Sequence, residues 1–215
     1  MTISTSWDDG NKLDLRLAKL LKKYNLPGTF FIPYTCDRAK INEERLSDNE
    51  IKRIAKMGFK IGGHTMTHPP DLKLLTNDEL NDEIMGCKIW LEELLGDGYL
   101  VDEFCPPKGK YNEKVIKVVK ESGFKNLRTV DVFNFPKDDD FVVKPTIHVY
   151  PDRKEYKGGY WMVEAIAKFD EAVKEDRDFH IWGHSWELAS YSMFEELESF
   201  FKTITDDKKE TFFNT

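Results

Sequence analysis

Cysteine is scarce: 215 residues contain three, Cys36, Cys87 and Cys105. They are odd in number, widely spaced and free of any CxxC pair, which excludes a disulfide scaffold and predicts free thiols in a reducing compartment, the cytoplasm by default. Basic charge is not in excess either. With 32 Lys and Arg against 39 Asp and Glu the net charge is −7, so nucleic acid, which is held by clustered cations, is not the expected partner. Apolar runs last only a few residues, far short of the ~20 that cross a bilayer, so no membrane span is expected. Met1–Gly10 shows no basic segment followed by an apolar one, and no secretory signal is read there. No repeat, low-complexity tract or Pro/Ser-rich linker divides the chain, and residues 1–215 are expected to form one domain.

What is present is alternation. Thr2–Trp7, Thr29–Pro33, Phe59–Gly63, Val101–Cys105, Phe124–Val130, Phe141–His148 and Phe179–Gly183 read as strands, short runs rich in aromatic and β-branched residues. Between them apolar residues recur at helical spacing, as in Leu13, Leu17, Leu20 and Leu21. Ser47 with Glu50, and Thr76 with Glu79, form capping boxes that open helices closed near Gly58 and Gly96. Glu113–Ser122, Tyr160–Glu175 and Met193–Thr203 complete the helices. Seven strands alternating with helices predict parallel βα units, in which chemistry gathers at the carboxyl ends of the strands.

The polar oddities fall at those ends. Asp8 and Asp9 precede Gly10 and, taken alone, read first as a turn with Asp capping the next helix and second as two working carboxylates. His64 and His68 are four apart, a spacing that would put both imidazoles on one side of a helical turn, between Gly62-Gly63 and Pro69-Pro70. One carboxylate from the first loop would complete a two-His, one-Asp set. Such a set suits zinc or cobalt in a hydrolase, or ferrous iron in an oxygenase, and leaves a position open for water. The Phe104–Asn112 segment reads as a rigid turn, and Phe179–Glu187 crowds His180, His184, Trp182 and Trp186 into one segment, an aromatic wall beside a titratable group.

In this order the segments resemble the polysaccharide deacetylase, or NodB-homology, family of metal-dependent carbohydrate esterases, from Thr2 to about Phe201. Ser6-Trp7-Asp8-Asp9-Gly10 is similar to the family's first motif and Gly63-His64-Thr65-Met66-Thr67-His68-Pro69 to its second. The resemblance implies an α/β fold, an irregular (β/α)7 barrel. It also implies one divalent ion, Zn2+ with Co2+ or Ni2+ as substitutes, held by Asp9, His64 and His68, with Asp8 as base and His184 as acid. Pro107, Lys108, Tyr111, Trp182 and Trp186 are the expected substrate contacts. The third motif departs from the family pattern: Cys105 stands where an arginine is usual and Lys108 where an aromatic is common. Arg128, at the end of the next strand, is the expected replacement charge for Asp8. His148 and His180 are read as supporting residues. The implied activity is removal of an N-acetyl group from an amino sugar or glycan intermediate. The alternatives are an amidase or deformylase on another C–N bond, or a non-catalytic sugar-binding relative.

Overall fold

The computed structural model describes residues 1–36, 44–96, 98–137 and 139–213, with side chains up to Asp206. Eight strands form one sheet: β1 Ile3–Asp8, β2 Thr29–Ile32, β3 Lys60–Gly63, β4 Glu103–Phe104, β5 Asn126–Arg128, β6 Val142–Val143, β7 Ile147–His148 and β8 Phe179–Gly183. Among the described residues seven α-helices accompany them: α1 Asp14–Lys23, α2 Asp48–Lys56, α3 Asn77–Leu95, α4 Glu113–Glu121, α5 Trp161–Glu175, α6 Ser185–Ser190 and α7 Phe194–Phe213. Both capping boxes are formed, Ser47 with Glu50 before α2 and Thr76 with Glu79 before α3.

The strand order is β6-β5-β4-β3-β2-β1-β8-β7, and every neighbouring pair is parallel. One expectation is corrected by this order. Phe141–His148 reads as a single strand, but Pro145, which has no N–H to give to a ladder, divides it into β6 and β7 at opposite ends of the sheet. Only Lys144, Pro145 and Thr146 join the two. Four Cα steps reach at most about 14 Å, so the two edges lie close together and the sheet curls into a barrel that this short segment crosses. Here the irregular (β/α)7 barrel is an eight-stranded curled sheet with helices outside it.

Alternation along the strands divides apolar from polar. On β1, Ile3, Thr5 and Trp7 alternate with Ser4, Ser6 and Asp8. Ser4 Oγ and Ser6 Oγ lie 2.7 and 2.8 Å from Nδ1 and Nε2 of His180 on β8, which makes His180 a buried strut within the barrel. Outside the sheet, Phe169 meets Phe179 and Trp161 meets Phe200 edge to face, and Phe179 and Phe200 are tilted on one another, beneath α5 and α7. Burial of such large side chains contributes about 1.5–3 kcal/mol each before chain entropy is counted. The interior column of Ser4, Ser6, His180, Arg128 and Asp8 ends at the carboxyl ends of the strands, and the site lies there.

Candidate active site

Asp8 is the last residue of β1, and the chain then turns through two successive left-handed residues, Asp9 at φ 79° and Gly10 at φ 62°. A Cβ on residue 10 would lie 3.0 Å from Ile32, so the turn needs its glycine both for conformation and for space. The turn throws the two adjacent carboxylates in different directions. Asp8 points along the barrel interior toward Arg128, and Asp9 points across the mouth toward the histidines.

His64 follows β3 directly. The four-residue spacing does not produce the helical turn read from sequence: Thr65 (φ 73°) and His68 (φ 54°) are left-handed, and the segment is a loop. Backbone bonds from Tyr34 and Thr35 to the carbonyls of Thr65 and Met66, and from Met66 to that of Glu83, pin it. Within it the Thr65 hydroxyl accepts the His68 N–H at 3.0 Å. His64 and His68 still converge, with Nε2 atoms 3.5 and 3.3 Å from Asp9 Oδ1. The ligand-type atoms of Asp9, His64 and His68 all lie within 4.8 Å of one another.

These three residues fit a divalent ion. Asp9 Oδ1 is buried without a hydrogen-bond partner, a costly state for a carboxylate oxygen unless something positive completes it. His64 meets the Cys105 carbonyl through Nδ1 at 2.7 Å. A carbonyl only accepts, so Nδ1 carries the proton and Nε2 offers its lone pair, the arrangement usual for a metal-binding imidazole. Burial disfavours the charged Asp9, but His184, His64 and His68 hold its carboxyl well below the ordinary range.

Asp8 is 3% exposed and is joined through Oδ1 to Arg128 Nη2. Its Oδ2 receives the Cys105 thiol at 3.6 Å. Burial raises the carboxyl, and Arg128, His64 and His184 together bring it below its ordinary value. The Cys105 thiol is pushed well above its usual range by burial, which Arg128 only partly opposes, so it stays protonated and donates. The register explains where the arginine comes from. Phe104 pairs with Leu127, and the next rung sets Cys105 beside Arg128. The cation enters from the neighbouring strand, and the short thiol leaves it room. Phe31 and Trp182 hold the guanidinium, 5.1 and 4.7 Å from its central carbon.

His184, at the head of α6, donates Nδ1–H to Glu187 Oε2 at 2.6 Å and turns Nε2 toward Asp9 Oδ2, 3.8 Å away. Burial acts against the imidazolium, but Glu187 and the two aspartates lift His184 to about 9. Glu187 resists the effect of burial through His184 and His148 and falls to about 2. Arg153 donates to His148 Nδ1 at 3.1 Å, so His148 gives Nε2–H to the same Glu187 oxygen at 3.2 Å. His148, Glu187 and His184 are therefore closed on one another by hydrogen bonds. Glu187 and Arg153 escape a reading of the sequence, although a glutamate three residues after His184 on a short helix was a visible cue.

Asp8, Asp9, His64, His68, Lys108, Val130, Trp182, His184, Trp186 and Glu187 enclose a pocket of about 180 Å³. Two of the expected substrate contacts do not line it: Pro107 is buried in its turn, and Tyr111 packs against the core. The turn itself explains this, since Lys108 at φ 55° projects from it instead. Trp182 reaches the pocket but is 4% exposed, stacked on His148 at 3.8 Å and covered by Arg128, so its ring offers no open face. Trp186 donates its indole N–H to Asp9 Oδ2 at 2.9 Å and so orients that carboxylate. A larger cavity of about 620 Å³ opens at the other end of the barrel, where Lys60 pairs with Glu103 and Lys125 with Asp102.

Cys36, Cys87 and Cys105 are all buried and none is in a disulfide, and among the described residues no helix is long and apolar enough to cross a membrane. Comparison with solved structures supports the fold. A polysaccharide deacetylase-like protein of Mycobacterium smegmatis superposes with a TM-score of 0.69 at 17% identity, over 95% of this chain and 83% of that one. A carbohydrate esterase family 4 pseudoenzyme of Bacillus anthracis superposes with 0.62 at 17% identity, over 96% and 61%. In sequence, the chain is 24% identical to the peptidoglycan N-acetylmuramic acid deacetylase PdaA of Bacillus subtilis over 91% of its own length and 72% of that protein. It is 32% identical to a peptidoglycan N-acetylglucosamine deacetylase of Bacillus cereus over 57% of its length and 42% of that protein. The polysaccharide deacetylase family model matches residues 1–127, more than half of the sequence, and the chain belongs to that family.

Proposed function

We propose that this protein is a metal-dependent hydrolase that removes N-acetyl groups from an amino sugar within a glycan. The observation that carries the reading is the unpartnered Asp9 Oδ1 facing His64 and His68, with a second carboxylate and a second imidazole on either side. Asp9, His64 and His68 would hold the ion, Zn2+ with Co2+ or Ni2+ as substitutes, which when bound supplies Lewis acidity toward the amide carbonyl and lowers the pKa of a water.

Each remaining role falls to a residue of the chain. Asp8 is ionised and fixed by Arg128 and Cys105, and it takes the proton of the attacking water. His184, its imidazolium stabilised by Glu187, presents Nε2–H to the departing amine, so acetate and a free amino sugar leave. In the Pro107–Gly109 turn the Gly109 and Lys110 amides are tied to Pro106 and Pro107, and the Lys108 N–H is the donor assigned to the developing oxyanion. Val130 and the edge of Trp182 line the small pocket that receives the acetyl methyl. The names of the Bacillus relatives support an N-acetylated glycan as the substrate class.

The test is acetate release from N-acetylated monosaccharides and oligosaccharides by chelator-treated protein reloaded with Zn2+ or Co2+, with Asp8→Asn as the control. Release that needs the ion and Asp8 supports the assignment. No release from any of these glycans by the loaded protein overturns it, and release from formylated or other amides alone makes it an amidase.

A further inference from the structure

His184, the proton donor, is braced through residues that lie outside the pocket. Past β7 the chain turns back, and two residues of that connection grip His148. The buried Tyr156 accepts the His148 N–H at 3.1 Å through its hydroxyl and donates to the carbonyl of the same residue. Arg153, three residues before Tyr156, reaches the ring, its Nη1 donating to His148 Nδ1 at 3.1 Å. The guanidinium is fixed at two further points, Nε on Glu155 Oε2 at 3.1 Å and Nη2 on the Val130 carbonyl at 3.2 Å. Three donors of one rigid fork engaged on three acceptors set its orientation.

A neutral imidazole has one N–H to place, and either nitrogen can carry it. Burial takes the His148 imidazolium down to about 4, so the ring is neutral at pH 7. An arginine can only donate, so the Nδ1 that faces it is the acceptor and the N–H sits on Nε2, aimed at Glu187 Oε2 3.2 Å away. Without the guanidinium the other tautomer is open, and it would set the Nε2 lone pair against a carboxylate oxygen. Glu187 would then lose a donor and be pushed from the ring, and it is the same Oε2 that holds His184 Nδ1 at 2.6 Å. The stack of His148 on Trp182, 3.8 Å between centroids, fixes the plane of the ring but does not choose between its nitrogens.

We infer that Arg153 is a positioning residue for the proton donor: by fixing the His148 tautomer it holds Glu187 where Glu187 aims His184 Nε2 at the departing nitrogen. The inference rests on the N-acetyl hydrolase reading and deepens it, because it ties the need for Arg153 to the leaving group. When the C–N bond of the tetrahedral intermediate breaks, its electron pair stays on a nitrogen that takes the Nε2 proton and leaves as an amine. A 4-nitrophenolate leaves with the C–O electron pair and needs no proton. Arg153 therefore matters for amide cleavage and far less for an activated ester of the same acyl group. Its other bond, to the carbonyl of the pocket-lining Val130, bears on the acyl side that amide and ester share, so a loss routed through Val130 would strike both.

The experiment compares two substrates and adds a spectrum. Zinc-loaded Arg153→Met and His148→Phe are expected to lose roughly tenfold or more in kcat on an N-acetylglucosamine oligosaccharide, part of the ~100- to 10,000-fold that a general acid supplies, and under about threefold on 4-nitrophenyl acetate. KM for the oligosaccharide changes little, and the ester turnover shows that the variants fold. The double variant is expected to lose no more than the worse single one, since both act along one route. Independently of turnover, two-bond proton–nitrogen correlation spectra of the imidazoles are expected to show His148 protonated on Nε2 in the unmodified protein and redistributed between its nitrogens in Arg153→Met. Equal losses on amide and ester, unchanged amide turnover, or a His148 tautomer indifferent to Arg153 each overturn the inference. An Arg153-dependent tautomer in a loaded protein that cleaves the ester and no N-acetylated glycan sinks the deacetylase reading and supports the control of His148 by Arg153.

Discussion

Asp8 on β1 and Arg128 on β5 form a buried ion pair across the barrel interior, each almost wholly shielded from water. The charge that steadies Asp8 comes from the strand beside the one that Cys105 follows, and the two positions face each other one step beyond the Phe104–Leu127 pair of that parallel ladder. Removing one partner of such a pair leaves an uncompensated buried charge, at a cost of about 3–5 kcal/mol. Arg128→Met is therefore expected to lower unfolding free energy by about that amount and kcat by roughly 100-fold or more, with an altered pH profile. The double variant Cys105→Arg, Arg128→Cys returns a cation to the same carboxylate and is expected to recover part of both losses. Denaturant titration and acetate release measure them. An Arg128→Met enzyme with unchanged kcat and pH profile would remove the arginine from the machinery.

Trp186 acts through Asp9. Its indole N–H occupies Oδ2 and thereby aims Oδ1 at the two imidazoles. Partners that orient a metal ligand are worth about 10–100-fold in affinity. Trp186→Phe keeps the ring and loses the donor, so zinc binding, measured by competition with a chromogenic chelator, is expected to weaken within that range. Unchanged affinity would show that Asp9 is oriented by the Asp9-Gly10 turn alone.

Much of this was legible because it is local. Capping boxes at Ser47 and Thr76 are patterns of four residues, and β8 occupies the Phe179–Gly183 run read from its composition. The pairing of Asp8-Asp9 with His64 and His68 followed from their common position at strand ends. What was not legible depends on long-range neighbours. Nothing near Pro145 announces that the residues on its two sides join opposite edges of one sheet. The donor on Trp186 became visible only when β8 was placed beside β1, and the Arg153–His148–Glu187 relay only when β7 was placed beside β8.

Gly109 tests how tightly the Pro107–Gly109 turn is set. It sits at φ 63°, and a Cβ there would come within 2.3 Å of Val130, a pocket-lining side chain. Gly109→Ala thus combines backbone strain with a clash, and either Lys108 or Val130 must move. The expected outcome is a loss of kcat of roughly tenfold or more, since misplacing a positioned group by about 1 Å can cost 100-fold, together with a smaller loss of thermal stability. A Val130→Ala second-site change, which removes the clashing methyls, is expected to restore part of the activity. Full activity in Gly109→Ala would mean that the turn takes no part in positioning.

Two buried histidines apart from Asp9, His64 and His68 make the metal-free protein sensitive to acid. His148 falls to about 4, burial outweighing the pull of Glu187, and His180 to about 3, where burial and Arg128 act together. Both titrate near 6.5 in the unfolded chain. The folded state therefore binds fewer protons below that value, so the stabilisation is complete above pH 6.5 and is lost as pH falls toward 4. His68 and His184 are shifted upward; they carry their protons in both states below pH 6 and add little to the slope there. Each depressed histidine contributes about 1.4 kcal/mol per pH unit at full difference, so the two together lower unfolding free energy by up to about 2.7 kcal/mol per unit near pH 5, an effect partly opposed by Asp14, which burial raises well above the ordinary carboxylate range. Urea titrations between pH 7 and 5 measure this slope. His180→Asn keeps polar atoms toward Ser4 and Ser6 and removes one titrating group, and it is expected to lower the slope by about 1.4 kcal/mol per pH unit. A flat profile in the unmodified protein would mean that both imidazoles accept protons within the fold, against the closed bonding of His180 to its two serines and of His148 between Arg153 and Glu187.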